Sequence, residues 1–324
     1  MKNVTVVGGG TGTFVVLSGL KNTSVNLSVI VNMMDSGGST GRLRDQYGVL
    51  PPGDLRQCLV ALSDAPELWR KLFLYRFDGG DLDGHNFGNI FLSALEKTSA
   101  NYTDVIKSAS FVLKTKGAVI PVTFKQSHLV VQYKDGTILK GEGKIDVNFK
   151  ETSGIERAYL DPEVEVNPEV ITQLTKSDFI IIGPGDLYTS IIPILLIDSV
   201  AEKIVKSKAK IIYIMNLMTK SGQTTNYSAL DHLRDLQKYL HRSSDYVILN
   251  NENIPEKIVD WYSANNEKIV EDDMTSENFK GIIIREGLVD VNEIEKEKGD
   301  ALSRSIVRHN PVKLTKILKE ILES

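Results

Sequence analysis

Glycine, threonine, serine and asparagine recur in clusters able to hold an anion. The first is Gly8-Gly9-Gly10-Thr11-Gly12-Thr13, between the apolar run at 2–7 and FVVLSGL at 14–20. A loop between a strand and a helix brings backbone N–H groups and a helix N-terminus close to a phosphate. It is not the P-loop pattern, because no Gly-Lys-Ser/Thr follows. It is also an incomplete dinucleotide fingerprint. Gly8 and Gly10 match, Thr13 stands at the third glycine position, and Gly12 comes one residue early. A dinucleotide enzyme would end its second strand on an acidic residue, and this chain offers Asn32 and, slightly late, Asp35. A tight turn without a ligand is the plain alternative.

The second cluster follows strand two: Asp35, Ser36, Gly37, Gly38, Ser39, Thr40, Gly41, Arg42, Leu43, Arg44. Ligands of open α/β sheets bind at that carboxyl edge. Its hydroxyls and N–H groups suit phosphoryl oxygens, Arg42 or Arg44 could supply charge, and Asp35 could hold Mg²⁺ or a sugar hydroxyl. The alternative is a flexible loop with a solvated arginine pair. Next comes Leu50-Pro51-Pro52-Gly53-Asp54-Leu55-Arg56, where Asp54 reads as a helix cap that could also face a pocket. In Gly84-His85-Asn86-Phe87-Gly88-Asn89, a helix would put His85, Gly88 and Asn89 on one face. Asn86 and Asn89 suit a base or sugar. His85 reads as a hydrogen-bonding group before it reads as an acid or base.

Gly183-Pro184-Gly185-Asp186-Leu187-Tyr188-Thr189-Ser190 repeats the design of strand, glycine-rich loop and helix. Asn216, with Thr219, Gly222, Gln223 and Thr224, follows the next strand and suits a sugar. There is no Ser-His-Asp order, nucleophile elbow, paired-carboxylate set or zinc spacing. No catalytic residue and no metal ligand set is assigned. Cys58, the single cysteine, has apolar neighbours and reads as a core thiol.

The elements around these clusters alternate as strand, loop and helix. This pattern implies an α/β, three-layer Rossmann-like fold with a mainly parallel sheet. Strands are expected at 2–7, 27–33, 178–183, 210–216, 246–250 and 281–286. Helices are expected at 14–20, 55–63, 67–77, 85–97, 101–110, 191–207, 227–240, 255–264, 296–307 and 312–323. Residues 34–54 read as one long loop. Residues 117–160 read as a small antiparallel β insertion, with Asp135-Gly136 as a hairpin turn. Residues 251–324 read as a charged extension of a single 1–324 domain.

Composition narrows the function. The chain has 324 residues, net charge -4 and 41% apolar residues. A general nucleic-acid binder would show a basic surplus. No apolar run approaches the ~18 residues of a membrane span. The N-terminal MKNVTVVGGGTG reads as a strand and its turn, and the cysteine count fits a reducing compartment. More than half of the 25 glycines fall in the first 88 residues, where backbone geometry is most constrained.

The same residues carry a family resemblance. VVGGGTG at 6–12, MDSGGSTGRLR at 34–44, LPPGDLRQCLVAL at 50–62, GHNFGNIFLSAL at 84–95, GPGDLYTSIIPILL at 183–196 and NLMTKSGQTTNYSALDHL at 216–233 resemble the gluconeogenesis factor family. That is the YvcK branch, also known as UPF0052, of the CofD-like superfamily shared with 2-phospho-L-lactate transferase. The resemblance implies a CofD-like fold and a cytoplasmic bacterial protein needed for morphogenesis under gluconeogenic growth. It implies a nucleotide-sugar ligand, UDP-N-acetylglucosamine foremost, and a role in cell-wall precursor control. It places Gly8 to Thr13, the stretch from Asp35 through Gly37, Gly38, Ser39 and Thr40 to Arg42, and Gly183 to Ser190 around the nucleotide or diphosphate. Asn86 and Asn89 would share that cleft. Asp186 and Met34 depart from the family's usual serine and acidic residue.

Three functions compete. The first is a UDP-sugar-binding regulator, with no required cofactor, a protein partner in cell-wall or metabolic control, and a possible homo-oligomeric state. The second is a Mg²⁺-dependent nucleotidyl-donor phospho-transferase resembling 2-phospho-L-lactate transferase, with Asp35 on the metal and Arg42 and Arg44 on transferred phosphate. The third is an NAD-dependent oxidoreductase, opposed by the incomplete fingerprint.

Overall fold

Strand β1 (Lys2–Gly8) is buried from Val4 onward, as a central parallel strand covered on both faces must be. The computed structural model describes residues 1–148, 153–290 and 306–323. β1 leads through a glycine turn into α1 (Gly10–Leu20) and then β2 (Val25–Val31), which pairs parallel to β1. Helices α2 (Gly38–Tyr47), α3 (Gly53–Leu62), α4 (Glu67–Leu74), α5 (Phe87–Thr98) and α6 (Tyr102–Leu113) follow, and β3 (Ala118–Pro121) returns beside β2.

An antiparallel sheet comes next, built from β4 (His128–Tyr133), β5 (Ile138–Lys140) and β6 (Ile155–Asp161). Between β5 and β6 lies the short helix α7 (Glu142–Asp146). After α8 (Pro168–Lys176) the parallel sheet resumes with β7 (Phe179–Ile182), a π-helical turn at Leu187–Ile191, α9 (Ile192–Leu195) and α10 (Val200–Lys206). It continues with β8 (Lys210–Ile214), α11 (Ala229–Leu240), β9 (Tyr246–Asn250), α12 (Glu256–Ser263) and β10 (Ile282–Glu286). A ribbon of β11 (Val289–Asp290) and β12 (Arg308–His309) precedes α13 (Pro311–Glu323).

The large sheet runs β10-β9-β8-β7-β1-β2-β3, and its neighbouring strands pair parallel. The expected α/β, mainly parallel fold with a small antiparallel sheet is therefore present. Chain order reverses between β1 and β7, which makes a crevice at their carboxyl ends. A large apolar core spans the sheet and both helix layers, and a smaller cluster of Leu217, Met218, Ile254, Tyr262, Val289 and Val307 lies apart from it.

Several expectations need correction. The 34–54 loop contains α2, a helix entered at Gly37 and ended by Gly48 in the left-handed conformation. The insertion does not begin at 117, because β3 pairs with β2 in the parallel sheet and the antiparallel pairing starts at His128. The single helix expected over 191–207 breaks between Leu195 and Val200. Of the helix expected at 296–307, all but the last two residues lie outside the described residues. The Asp135-Gly136 turn does join β4 to β5.

The last helix is locked to the first. A Cβ on Gly19 of α1 would lie 1.8 Å from Thr315 Oγ1 and 3.3 Å from the Pro311 carbonyl, both on α13. Gly19→Ala is expected to lower the thermal midpoint, at a cost of about 1–3 kcal/mol for overpacking. An unchanged midpoint in a melting curve would show that α13 can be displaced freely.

Candidate functional site

At the switch point, the turn after β1 meets the turn after β7. A Cβ on Gly12 would lie 2.2 Å from the Pro184 carbonyl, so only glycine permits this approach. The turns open into a cavity of about 240 Å³. Gly9, Gly10, Thr11, Gly12, Gly185, Ser190 and Asn216 line it, all sequence-predicted. α1 starts at Gly10, its N-cap Gly9 has no side chain to cap it, and the glycines of this turn line the space. The remaining wall includes Asp54 and Gln57 of α3, Glu142 and Asp146 of α7, Asp186, Leu217 to Lys220, Tyr262 and Glu267, and Val307, Arg308 and His309.

Asp54 is the second residue of α3 and is not its cap. Its carboxyl takes the Gly10 N–H and lies 3.4 Å from Asn32 Nδ2. A Cβ on Gly9 would lie 2.1 Å from its Oδ2. The side chain thus accepts one N–H group of the α1 N-terminus and lies beside the glycines that line the cavity. Burial, and then the Asp35 charge, push its pKa up to about 8, against the bonds from Asn32 and Gly10. Asp54 therefore carries its proton at neutral pH. Burial, then Asp35 and Asp146, also hold Glu142 well above the usual range, while burial and Asp186 raise Asp146 to about 6.

Lys220 faces these acids. Burial works against its charge, but Asp186, Asp146 and Glu267 outweigh it and hold the ammonium above its ordinary pKa. Its Nζ lies 3.6 Å from Glu267. His309 is buried, lowered to about 4 and hence neutral, and its Nε2–H donates to the Met215 carbonyl at 3.1 Å.

These shifts set a pH dependence. Asp54 and Asp146 have folded values above the unfolded value of about 3.9. The stability they contribute is complete below that value and is lost as pH rises through about 6 and then about 8. The ligand-free thermal midpoint is expected to fall from pH 6 to pH 9. A midpoint that is flat or rising across that interval in calorimetry would contradict these assignments.

Other predicted residues stand behind the wall. Gly8 and Thr13 face each other: a Gly8 Cβ would lie 2.5 Å from Thr13 Oγ1. Asp35 Oδ1 accepts the Gly37 N–H at 2.9 Å, and Asp35 and Thr40 pack on Gly53. Gly38 begins α2. His85 precedes α5 instead of sharing its face, and its Nδ1 is 3.2 Å from Ser39 Oγ. Asn86 caps α5, accepting the Asn89 N–H, and donates to the Leu74 carbonyl. Asn89 accepts from Arg56 Nε at 2.9 Å and lies 3.4 Å from both Ser39 Oγ and Thr40 Oγ1. These residues form one buried network that fixes α2 and α5.

The arginines also turn elsewhere. Arg42 donates to the Asp83 carbonyl at 2.8 Å, and Arg44 lies 2.7 Å from His128 Nδ1. Gly183 takes positive φ at the end of β7. Tyr188 donates to Asp235 at 2.5 Å, and the Thr189 carbonyl accepts from Asn32. Cys58 is a buried core thiol, as expected.

Sequence reasoning missed Gln57, Glu142, Asp146, Lys220, Tyr262, Glu267, Arg308 and His309 as wall residues. Lys220 had a signal, since it stands inside the sixth cluster. Glu142 and Asp146 had none, because packing of the insertion brings them in: Glu142 accepts the Ser36 N–H, and Asp146 accepts from Gln223.

Comparison with known proteins bears on the family and the fold. The family model described as 2-phospho-L-lactate transferase CofD matches residues 4–288. A putative gluconeogenesis factor of Aquifex aeolicus is 40% identical, over 99% of this chain and 97% of its own. The gluconeogenesis factor of Bacillus subtilis is 35% identical, over 99% and 98%. A crystal structure of a UPF0052 family member from Bacillus halodurans superposes with a TM-score of 0.88 at 34% identity, covering 98% of each chain. The chain therefore belongs to the CofD family and, within it, to the gluconeogenesis factors.

Proposed function

We propose that this chain binds a nucleotide sugar, UDP-N-acetylglucosamine foremost, and acts as a regulator that links metabolite status to cell-wall precursor synthesis and cell shape. The observation that carries the reading is the glycine-rich start of α1 lining a cavity at the switch point of the sheet. Such a helix end accepts a diphosphate. Lys220 faces it with positive charge, Asn216 and Thr219 offer polar groups for a sugar, and Leu217, Met218 and Tyr262 offer an apolar wall for a base. Near neutral pH, protonated Asp54 donates a hydrogen bond to a phosphate oxygen instead of repelling it.

Among the described residues no three His, Cys, Asp or Glu side chains are arranged to hold a metal ion. A cation would arrive on the ligand's phosphates and share one or two carboxylates. The family match favours a transferase as the second reading, but Arg42 and Arg44 are turned to Asp83 and His128. A thermal-shift panel of UDP-sugars, GDP, GTP, NAD and NADP, each with and without Mg²⁺, separates the readings. UDP-N-acetylglucosamine is expected to stabilise most. Greatest stabilisation by Mg²⁺ with a guanine nucleotide would favour the transferase, and by NAD the oxidoreductase.

A further inference from the structure

A groove that shares no wall residue with the cavity carries two large aromatic side chains in water. Phe111 on α6 is 84% exposed and Trp69 on α4 is 40% exposed. Trp69 and Phe111 line one open groove with Val112. Scattered single apolar residues are ordinary, but aromatic side chains gathered around a groove mark interaction surfaces. Lys107 and Lys114 line the same groove, which has no acidic residue in its wall. Lys107 and Phe111 stand four residues apart on α6, so they share one stripe. No ion pair is found for either lysine among the described residues.

We propose that this groove docks an acidic segment of another protein that inserts a bulky apolar side chain between Trp69 and Phe111. Charge complementarity selects this partner. Two ammonium groups without carboxylate partners among the described residues stand beside an aromatic surface, so an acidic segment gains ion pairs where a basic one meets repulsion. A second copy of this chain would bring the same two lysines against themselves in a two-fold contact. The inference stands apart from the nucleotide-sugar reading, because no groove residue lines the cavity.

The groove supplies its own reporter. The chain has two tryptophans, so Trp261→Phe leaves Trp69 as the only one. The probe is a synthetic twelve-residue acidic peptide with one phenylalanine and one leucine. A charge-reversed lysine peptide is the control, and UDP-N-acetylglucosamine binding is measured separately. Trp69 emission is expected to shift to the blue and saturate with the acidic peptide alone. Phe111→Glu, and Lys107→Glu with Lys114→Glu, are each expected to weaken that binding at least tenfold while leaving the melting temperature in place. Absence of a saturable shift would overturn the proposal. So would an equal response to the lysine peptide or to the lysine variants. A shift that grows with protein concentration alone and disappears in Phe111→Glu would assign the groove to self-association instead.

Discussion

Lys220→Met is expected to weaken UDP-N-acetylglucosamine binding by about two orders of magnitude, the loss of a charge-assisted contact of roughly 2–3 kcal/mol. Lys220 sits among Asp146, Asp186 and Glu267, with its side chain 15% exposed. Without it, the wall opposite α1 is acidic, and a diphosphate meets repulsion where it met attraction. The fold also suffers, because Glu267 is left buried without its ammonium, at a cost on the order of 3 kcal/mol. Two variants separate these effects. Lys220→Arg keeps the charge and is expected to retain most of the binding. Lys220→Met with Glu267→Gln is expected to recover much of the stability and none of the affinity. Titration calorimetry well below the melting temperature reads both, and full binding in the double variant would remove Lys220 from the site.

The second large effect belongs to Asp54. In the absence of Mg²⁺, affinity is expected to fall as pH rises through about 8, approaching tenfold per pH unit above it. Below that value the neutral carboxyl donates to a phosphate, and above it a carboxylate confronts the phosphate. A diesterified diphosphate keeps its charge over this range, so the slope belongs to the protein. Asp54→Asn retains a donor of the same shape and is expected to bind equally at pH 7 and pH 9. Its ligand-free midpoint is expected to exceed that of the parent at pH 6 and to exceed it by more at pH 9. Mg²⁺ at pH 9 is expected to restore part of the parent's affinity. A pH profile unchanged by Asp54→Asn would exclude this carboxyl as the titrating group.

Much of this site was legible from local sequence. The glycine clusters at 8–12 and 183–185 read as loops at the carboxyl edge, and the sheet puts them at its switch point. α2 was hidden because GSTGRLRDQY is a poor helix sequence, stabilised instead by burial of Ser39, Thr40, Leu43 and Arg44. Gly48 was a visible stop signal for it. Asp54 read as a cap because it precedes an apolar run, yet the helix begins at Gly53 and turns the carboxyl toward α1. The asparagines at 86 and 89 read as ligand groups from their chemistry alone, and their bonds go to Leu74, Arg56 and Ser39. The walls contributed by α7 and by residues 307–309 arise from contacts between distant parts of the chain, which no local pattern encodes.

The most direct measurement is a crystal structure of the protein with UDP-N-acetylglucosamine at pH 7. The diphosphate is expected against the N–H groups of Gly9 to Gly12 and beside Gly185, within reach of Lys220, with Asp54 adjacent. A diphosphate bound elsewhere, or a cavity left without ligand at saturating concentration, would contradict the assignment of this crevice as a nucleotide-sugar site.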